Sequence, residues 1–304
     1  VEFKRIKLEF FYLRKSFLQY RKGFRYIYNK YFLAPKILKL DKVLEKLVTN
    51  DDLSIHILTC RRDVVMTIWA LASFYQNSKI IGQLFIHNDG SLDNKDQSVL
   101  KKFFPSAKFI NAKTFSKDFS DELSKFPILE KFRIKYSNYF SFKKIIDPYL
   151  ASGKKIHLIL DSDILWFKNP SDLEEEIKQG CQKSLMQKNN IDIFVTFKDN
   201  PALDQALASF NAGIILYSLD NFDLNKFSNF LERLDTTNPR NLHFVDQVGH
   251  AYSLKNLESL PAELYLIQRS VSEKTVARHY TSPKRPLFYI EGLEILKTKI
   301  LLNK

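Results

Sequence analysis

The stretch His157-Leu158-Ile159-Leu160-Asp161-Ser162-Asp163-Ile164-Leu165-Trp166-Phe167 decides the fold. Residues 155–160 (KIHLIL) form an apolar run of strand length, the pattern of a central strand. Two carboxylates follow at once, and the chain turns apolar again from Ile164 to Phe167. Carboxylates in such company need a cation or hydrogen-bond donors, because burying them unpaired is costly. Residues two apart in extended backbone point the same way, so Asp161 and Asp163 can face one ion. Carboxylate oxygens prefer hard cations such as Mg²⁺ or Mn²⁺, and such sites borrow phosphate oxygens from a substrate. The plain alternative is a pair of turn or capping aspartates after a strand.

Working outward, short apolar runs alternate with helical periodicity. Residues 54–59, 82–87, 108–110, 191–197 and 211–217 read as further strands. Residues 63–76, 92–104, 126–150 up to Pro148, and 222–234 read as helices. The alternation argues for an α/β fold with a mostly parallel sheet flanked by helices. In open sheets of this kind, ligands sit beyond the carboxyl ends of the strands, which is where Asp161 and Asp163 fall.

The chain has 304 residues, 45% of them hydrophobic, enough for a full core, and 26 are Phe and 14 Tyr. No stretch reaches the ~18 uninterrupted apolar residues of a membrane span. Cys60 and Cys181 are far apart and show no metal spacing. These features predict a cytoplasmic protein.

The formal charge of +13 is uneven: residues 1–50 hold 13 Lys or Arg against 4 Asp or Glu. Phe10, Phe17, Phe24 and Tyr31 recur every seven residues there, which predicts one long helix ending at Pro35, with a second helix over 36–47. The apolar face of this extension suits packing on the main domain or on a second copy. It also suits a basic amphipathic segment on an anionic membrane surface, peripheral at the inner face. No motif supports nucleic-acid binding. The polar break at Thr49-Asn50-Asp51-Asp52 divides a helical extension, 1–50, from the main domain, 51–304.

Four segments then match a known family in order. The Asp161-Ser162-Asp163 segment, running on to Pro170, resembles the Asp-x-Asp signature of GT-A glycosyltransferases. Phe210-Asn211-Ala212-Gly213-Ile214 resembles their Asn-(Ser/Ala)-Gly strand, and Asp246-Gln247 resembles the Asp-Gln pair of retaining members related to family 8. His279–Pro286 is similar to that family's His-x-x-Gly-x-x-Lys-Pro segment, with Ser282 in place of Gly and Arg285 in place of Lys.

The resemblance implies a metal-dependent transferase acting on a nucleotide sugar, a UDP-sugar in the first instance. A glycan or lipid-linked molecule would be the acceptor. Asp161, Asp163 and His279 would hold Mn²⁺ or Mg²⁺. Asp246 and Gln247 would act at the donor sugar, with Asn211 and Gly213 shaping its pocket. Arg285 or Lys284 would meet the diphosphate, and Lys143 occupies a place comparable to a base that touches it. Arg62 and Asp63, after the first strand, would meet the nucleoside. The competing reading is a degenerate GT-A-like module that binds a glycan or partner without turnover.

Overall fold

Complete burial marks the centre of the sheet in the computed structural model, which describes residues 2–136, 139–199, 207 and 209–302. Strand β1 (Leu53–Thr59) is buried along its whole length, and β4 (Ile156–Asp161) is buried until Asp161. They pair in parallel, with β2 (Gln83–Asn88) on the other side of β1 and β3 (Lys108–Asn111) beyond it, also parallel. On the far side of β4 the direction changes. Strand β7 (Phe210–Ser218) runs antiparallel to β4, β6 (Ser184–Lys188) antiparallel to β7, and β8 (Leu257–Ser259) parallel to β6. The seven-stranded order is β3-β2-β1-β4-β7-β6-β8.

The period-two alternation of the central strands divides the core in two. Ile55, Leu158 and Leu216 point to one side, against α3 (Val64–Asn77), α4 (Asn94–Phe103), α7 (Ser171–Lys178) and α10 (Leu293–Leu301). Ile159, Ile215 and Tyr217 point to the other, against α5 (Pro127–Lys135), α6 (Phe140–Ala151), α8 (Leu224–Arg233) and α9 (Val245–Ser253). A small sheet of β5 (Ile164–Trp166), β10 (Ala277–His279) and β9 (Tyr265–Leu266) lies beside the first core.

The sequence expectations for the first, second and third strands, for β4 and for β7 hold. A strand over 191–197 does not form; apart from one isolated bridge at Phe197, this segment has no ladder. Its alternation is real, with Ile193, Val195 and Phe197 buried in the second core, but it packs against helices rather than a strand. Residues 184–188 take the ladder instead, a run whose Ser184 and Gln187 hide its strand character. The helix expected over 126–150 is two helices, α5 and α6, and Pro148 sits inside the second. Ser137 and Asn138, within that span, lie outside the described residues.

The N-terminal expectation also needs correction. In place of one helix there are α1 (Glu2–Leu18) and α2 (Gly23–Tyr28), with Arg21 in the left-handed region at φ 52° between them. The turn lets the Phe17 ring lie where a Cβ on residue 23 would be, a contact only glycine permits. No α-helix follows over 36–47; a short 3₁₀ segment, Ala34–Lys39, ends before Leu40. Tyr12, Tyr26 and Leu33 face inward, so the seven-residue stripe is not the packing face: Phe10 is 68% and Phe24 83% exposed. Leu33, Ala34 and Ile37 join the first core, and Trp69 Nε1 donates to the Ala34 carbonyl at 3.0 Å.

On the second-core face, rings stack across four strands. Phe85, His56, His157 and Tyr217 follow one another at centroid distances of 4.9, 5.0 and 5.3 Å. Burial lowers the pKa of His56, that of His87 to about 3 and that of His157 to about 4. All three are therefore neutral in the fold at neutral pH but titrate near the ordinary 6.5 once unfolded. Their contribution to stability is complete above that value and is lost progressively as pH falls below it towards 4 and 3. We expect the urea midpoint to decline as pH is lowered from about 7 to 5, and His157→Phe to make the decline shallower. Equal slopes for the two proteins would contradict this.

Candidate active site

Four segments bring the charged residues together. Asp161 ends β4, and Asp163 lies in the turn that leads into β5, which pairs antiparallel with β10 so that Ile164 faces His279. Tyr280 N donates to the Asp163 carbonyl at 2.9 Å, locking the two segments in register. One ligand atom each from Asp161, Asp163 and His279 lies within 4.8 Å of the others.

Outward from them on both sides the charges alternate. Lys144 Nζ on α6 donates to Asp161 Oδ1 at 2.5 Å and stands 4.0 Å from Asp246 Oδ2 on α9. At the other end, Arg285 Nε donates to Asp163 Oδ2 at 3.0 Å, and its Nη1 donates to both oxygens of Asp63 at 3.0 and 3.2 Å. Arg62 Nε closes the line on Asp63 at 3.0 Å. The order is thus Asp246, Lys144, Asp161, His279, Asp163, Arg285, Asp63, Arg62.

The charges show in the acidities. Burial is the largest influence on Asp163 and would raise its pKa, but the Arg285 guanidinium and a protonated His279 together outweigh it and hold the carboxyl below its usual range. The same competition, burial against Arg285 and Arg62 together, leaves Asp63 lowered. Asp246 goes the other way. Burial pushes it up to about 6, Lys144 opposes the rise and Asp161 adds to it.

His279 is held in one tautomer. The Gln187 amide nitrogen donates to the carbonyls of Tyr265 and Leu266, both at 3.2 Å, which turns its oxygen towards His279 Nδ1 at 3.3 Å. Asn211 Oδ1 accepts from Gly213 N at 2.8 Å and lies 3.0 Å from the same Nδ1. Two acceptors at Nδ1 place the ring proton there. Nε2 then turns its lone pair towards Asp163 Oδ1 at 3.1 Å and Asp161 Oδ2 at 3.4 Å. Three acceptors converge with no hydrogen between them, so the position calls for a cation or a second ring proton. Two carboxylates and an imidazole suit Mn²⁺ or Mg²⁺, so the residues fit the implied metal.

Gly213 makes this arrangement possible. A Cβ there would stand 2.3 Å from His279 Nδ1 and 2.9 Å from Gln187 Oε1. An irregularity between Met186 and Gln187 shifts β6 so that Gln187 comes opposite Asn211.

Most residues anticipated from sequence converge here: Asp63, Asp161, Asp163, Asn211, Gly213, Asp246, His279, Arg285 and, at the end of the line, Arg62. Gln247, beside Asp246, is 5% exposed, and its amide nitrogen has no hydrogen-bond partner. Lys284 points elsewhere and donates to Gln268. Lys143 lies in the electrostatic neighbourhood of Arg133, Asp147 and Asp89, and its neighbour Lys144 is the base that meets Asp161. Helical phase accounts for the difference, since positions 143 and 147 share one face of α6 and position 144 lies about 100° away. Gln187 was not anticipated at all.

No family model matches the sequence, and no curated protein matches it. Solved structures do. The bifunctional glycosyltransferase WbbM aligns over 87% of this chain and 54% of its own, at 11% identity and a TM-score of 0.50. The galactosyltransferase LgtC, in complex with donor and acceptor sugar analogues, aligns over 81% of this chain and 96% of its own, at 14% identity and a TM-score of 0.51. The chain spans about half the length of WbbM. At these identities the likeness shows the fold, and the fold is that of the GT-A glycosyltransferases.

Replacing Gly213 by alanine must push His279 off its partners. We expect Gly213→Ala to weaken Mn²⁺ binding, read from the spin resonance of free Mn²⁺, by about tenfold or more. Unchanged affinity would show that His279 does not contribute.

Proposed function

We propose that the chain is a metal-dependent glycosyltransferase. It moves a sugar from a nucleotide-sugar donor, a UDP-sugar in the first instance, to a glycan or lipid-linked acceptor, with retention of configuration. The observation that carries this reading is the convergence of His279 Nε2 with Asp161 and Asp163 at the carboxyl end of β4 in a GT-A fold.

Asp161, Asp163 and His279 hold Mn²⁺ or Mg²⁺, which when bound supplies Lewis-acid neutralisation of the charge on the leaving diphosphate. Gln187 and Asn211 keep the His279 lone pair aimed at that position. Arg285 stays charged at any physiological pH and offers a fork suited to phosphate oxygens, so it adds fixed positive charge where the leaving group forms. Lys144 orients Asp161 and connects it to Asp246. The reading assigns Asp246 and Gln247 to the sugar end, where the buried amide nitrogen of Gln247 would gain an acceptor from a sugar hydroxyl. Retention is supported by this Asp-Gln pair.

One observation favours the second reading, a non-catalytic binding module: Asp161 and Asp163 already have cationic partners in Lys144 and Arg285. Calorimetry separates the two. We expect Mn²⁺-dependent micromolar binding of one nucleotide among UDP, GDP and CMP, weakened about 100-fold or more by Asp163→Ala. Folded protein that binds no nucleotide in the presence of Mn²⁺ would overturn the transferase reading.

The N-terminal surface belongs to the same proposal. Phe10, Leu18, Phe24 and Phe32 are exposed, with Arg21, Lys22 and Arg25 exposed among them. Aromatic rings beside a net positive charge suit the interface of an anionic bilayer. No helix among the described residues is long and apolar enough to cross a membrane. We expect the protein to sediment with phosphatidylglycerol-containing vesicles and not with phosphatidylcholine alone, and Arg21→Gln with Lys22→Gln and Arg25→Gln to reduce this several-fold. Concentration-dependent dimers in ultracentrifugation without vesicle binding would assign the surface to self-association instead.

A further inference from the structure

A cavity of about 440 Å³ lies between the N-terminal helices and the sheet domain. Arg62, Asp63, Met66, Arg285 and Tyr289 form the domain side. Glu9, Tyr12, Lys30 and Tyr31 form the other. The volume falls within the range of small-molecule sites. The cavity is adjacent to the candidate metal ligands, because Arg285 donates both to Asp63 in its wall and to Asp163.

The N-terminal wall is built rather than incidental. Glu9 gathers the Tyr26 hydroxyl at 2.9 Å, the Tyr31 hydroxyl at 2.8 Å and the Lys30 ammonium. Tyr26 is fully buried and meets Tyr289 edge-on at 5.7 Å. Helix α1 also grips the segment that carries Arg285. Lys15 Nζ donates to the Pro283 carbonyl at 2.7 Å, and the Tyr12 hydroxyl lies 3.4 Å from Ser282 Oγ.

The chemistry of the walls selects a class of ligand. Tyr12, Tyr31 and Tyr289 give the cavity aromatic walls and Met66 an apolar surface, and the carboxylates of Asp63 and Glu9, already held by Arg62, Arg285, Lys30, Tyr26 and Tyr31, retain lone pairs suited to ribose hydroxyls and ring N–H groups. Position selects its orientation. The line of charge has two ends, Lys144 with Asp246 and Arg285 with Asp63, and a diphosphate at its centre carries a sugar on one side and a nucleoside on the other. If the sugar lies towards Asp246, the nucleoside lies towards Asp63, beyond the carboxyl end of β1.

The resemblance already implies a nucleoside seat beside Arg62 and Asp63; we propose that the N-terminal helices complete it, with Glu9, Tyr12, Lys30 and Tyr31 forming the wall that covers the nucleoside. The N-terminal extension is then part of the donor site. The inference rests on the transferase reading above and adds to it.

Methionine methyl groups report on it directly, because the chain has two methionines. Met66 lines the cavity, and Met186 is buried on β6 in the second core. The full chain, labelled with ¹³C at the methionine methyls and assigned with Met66→Leu, is titrated with UDP or GDP, and separately with pyrophosphate, in Mg²⁺. We expect the nucleoside diphosphate to move the Met66 resonance beyond its position with pyrophosphate, while Met186 is the same with both. Tyr31→Ala should weaken the nucleoside diphosphate about tenfold and leave pyrophosphate unchanged. If pyrophosphate and nucleoside diphosphate bind but shift Met66 equally, and Tyr31→Ala affects neither, the nucleoside lies elsewhere and only this inference falls. If neither ligand binds, the transferase reading falls with it.

Discussion

Two carboxylates at the end of a buried strand impose the constraint on which the rest of this structure depends. Asp161 and Asp163 follow an apolar strand and precede another, so their charge has to be met locally. The fold meets it with Lys144 from α6 and Arg285 from the segment after β10, and β10 itself brings the His279 lone pair to the same place, drawing three distant parts of the chain to one turn. Each of these contacts also orders something else. Lys144 donates to the Ala212 carbonyl on β7, and Arg285 reaches Asp63 after β1, so the line of ion pairs ties the carboxyl ends of β1 and β4 to the amino end of antiparallel β7. Breaking one member of such a partly buried line leaves its neighbour's charge uncompensated, which costs more than the pair itself contributes.

Precision at His279 comes from neutral groups. Gln187 and Asn211 fix the tautomer, their own orientations are fixed by backbone partners, and Gly213 gives the ring room. This is a supporting shell in the physical sense: removing a hydrogen-bond acceptor from Nδ1 would free the ring proton to move to Nε2 and close the lone pair. The irregularity in β6 that brings Gln187 into this shell is a local departure from strand regularity placed beside the site, as such departures often are.

Much of this was legible in the sequence because it rests on local pattern. The apolar runs of β1 and β4 fix the sheet centre, and the Asp161-Ser162-Asp163 spacing fixes the turn. The Asn211 and His279 segments add the other partners. What was not legible depends on tertiary contact. Lys143 and Lys144 differ in sequence by nothing but helical phase. Gln187 looks like an ordinary polar residue in a short strand until β7 is laid beside it. Residues 191–197 alternate like a strand, yet bury their apolar face against helices. At the N-terminus, seven-residue periodicity described a real stripe of aromatic rings but not the face that packs. Gly23 lets the chain turn under Phe17, and Tyr12, Tyr26 and Leu33 take the inward positions.

In the proposed transferase, Asp161, Asp163 and His279 Nε2 together hold a divalent cation, and Arg285 leaves Asp163 to serve the diphosphate. The most direct measurement is anomalous diffraction at the manganese edge from crystals grown with Mn²⁺ and UDP. We expect a peak in contact with both carboxylates and His279 Nε2, and Arg285 turned from Asp163 to phosphate oxygens. Crystals with UDP bound, no anomalous peak at this position, and Lys144 and Arg285 still paired with the carboxylates would contradict it.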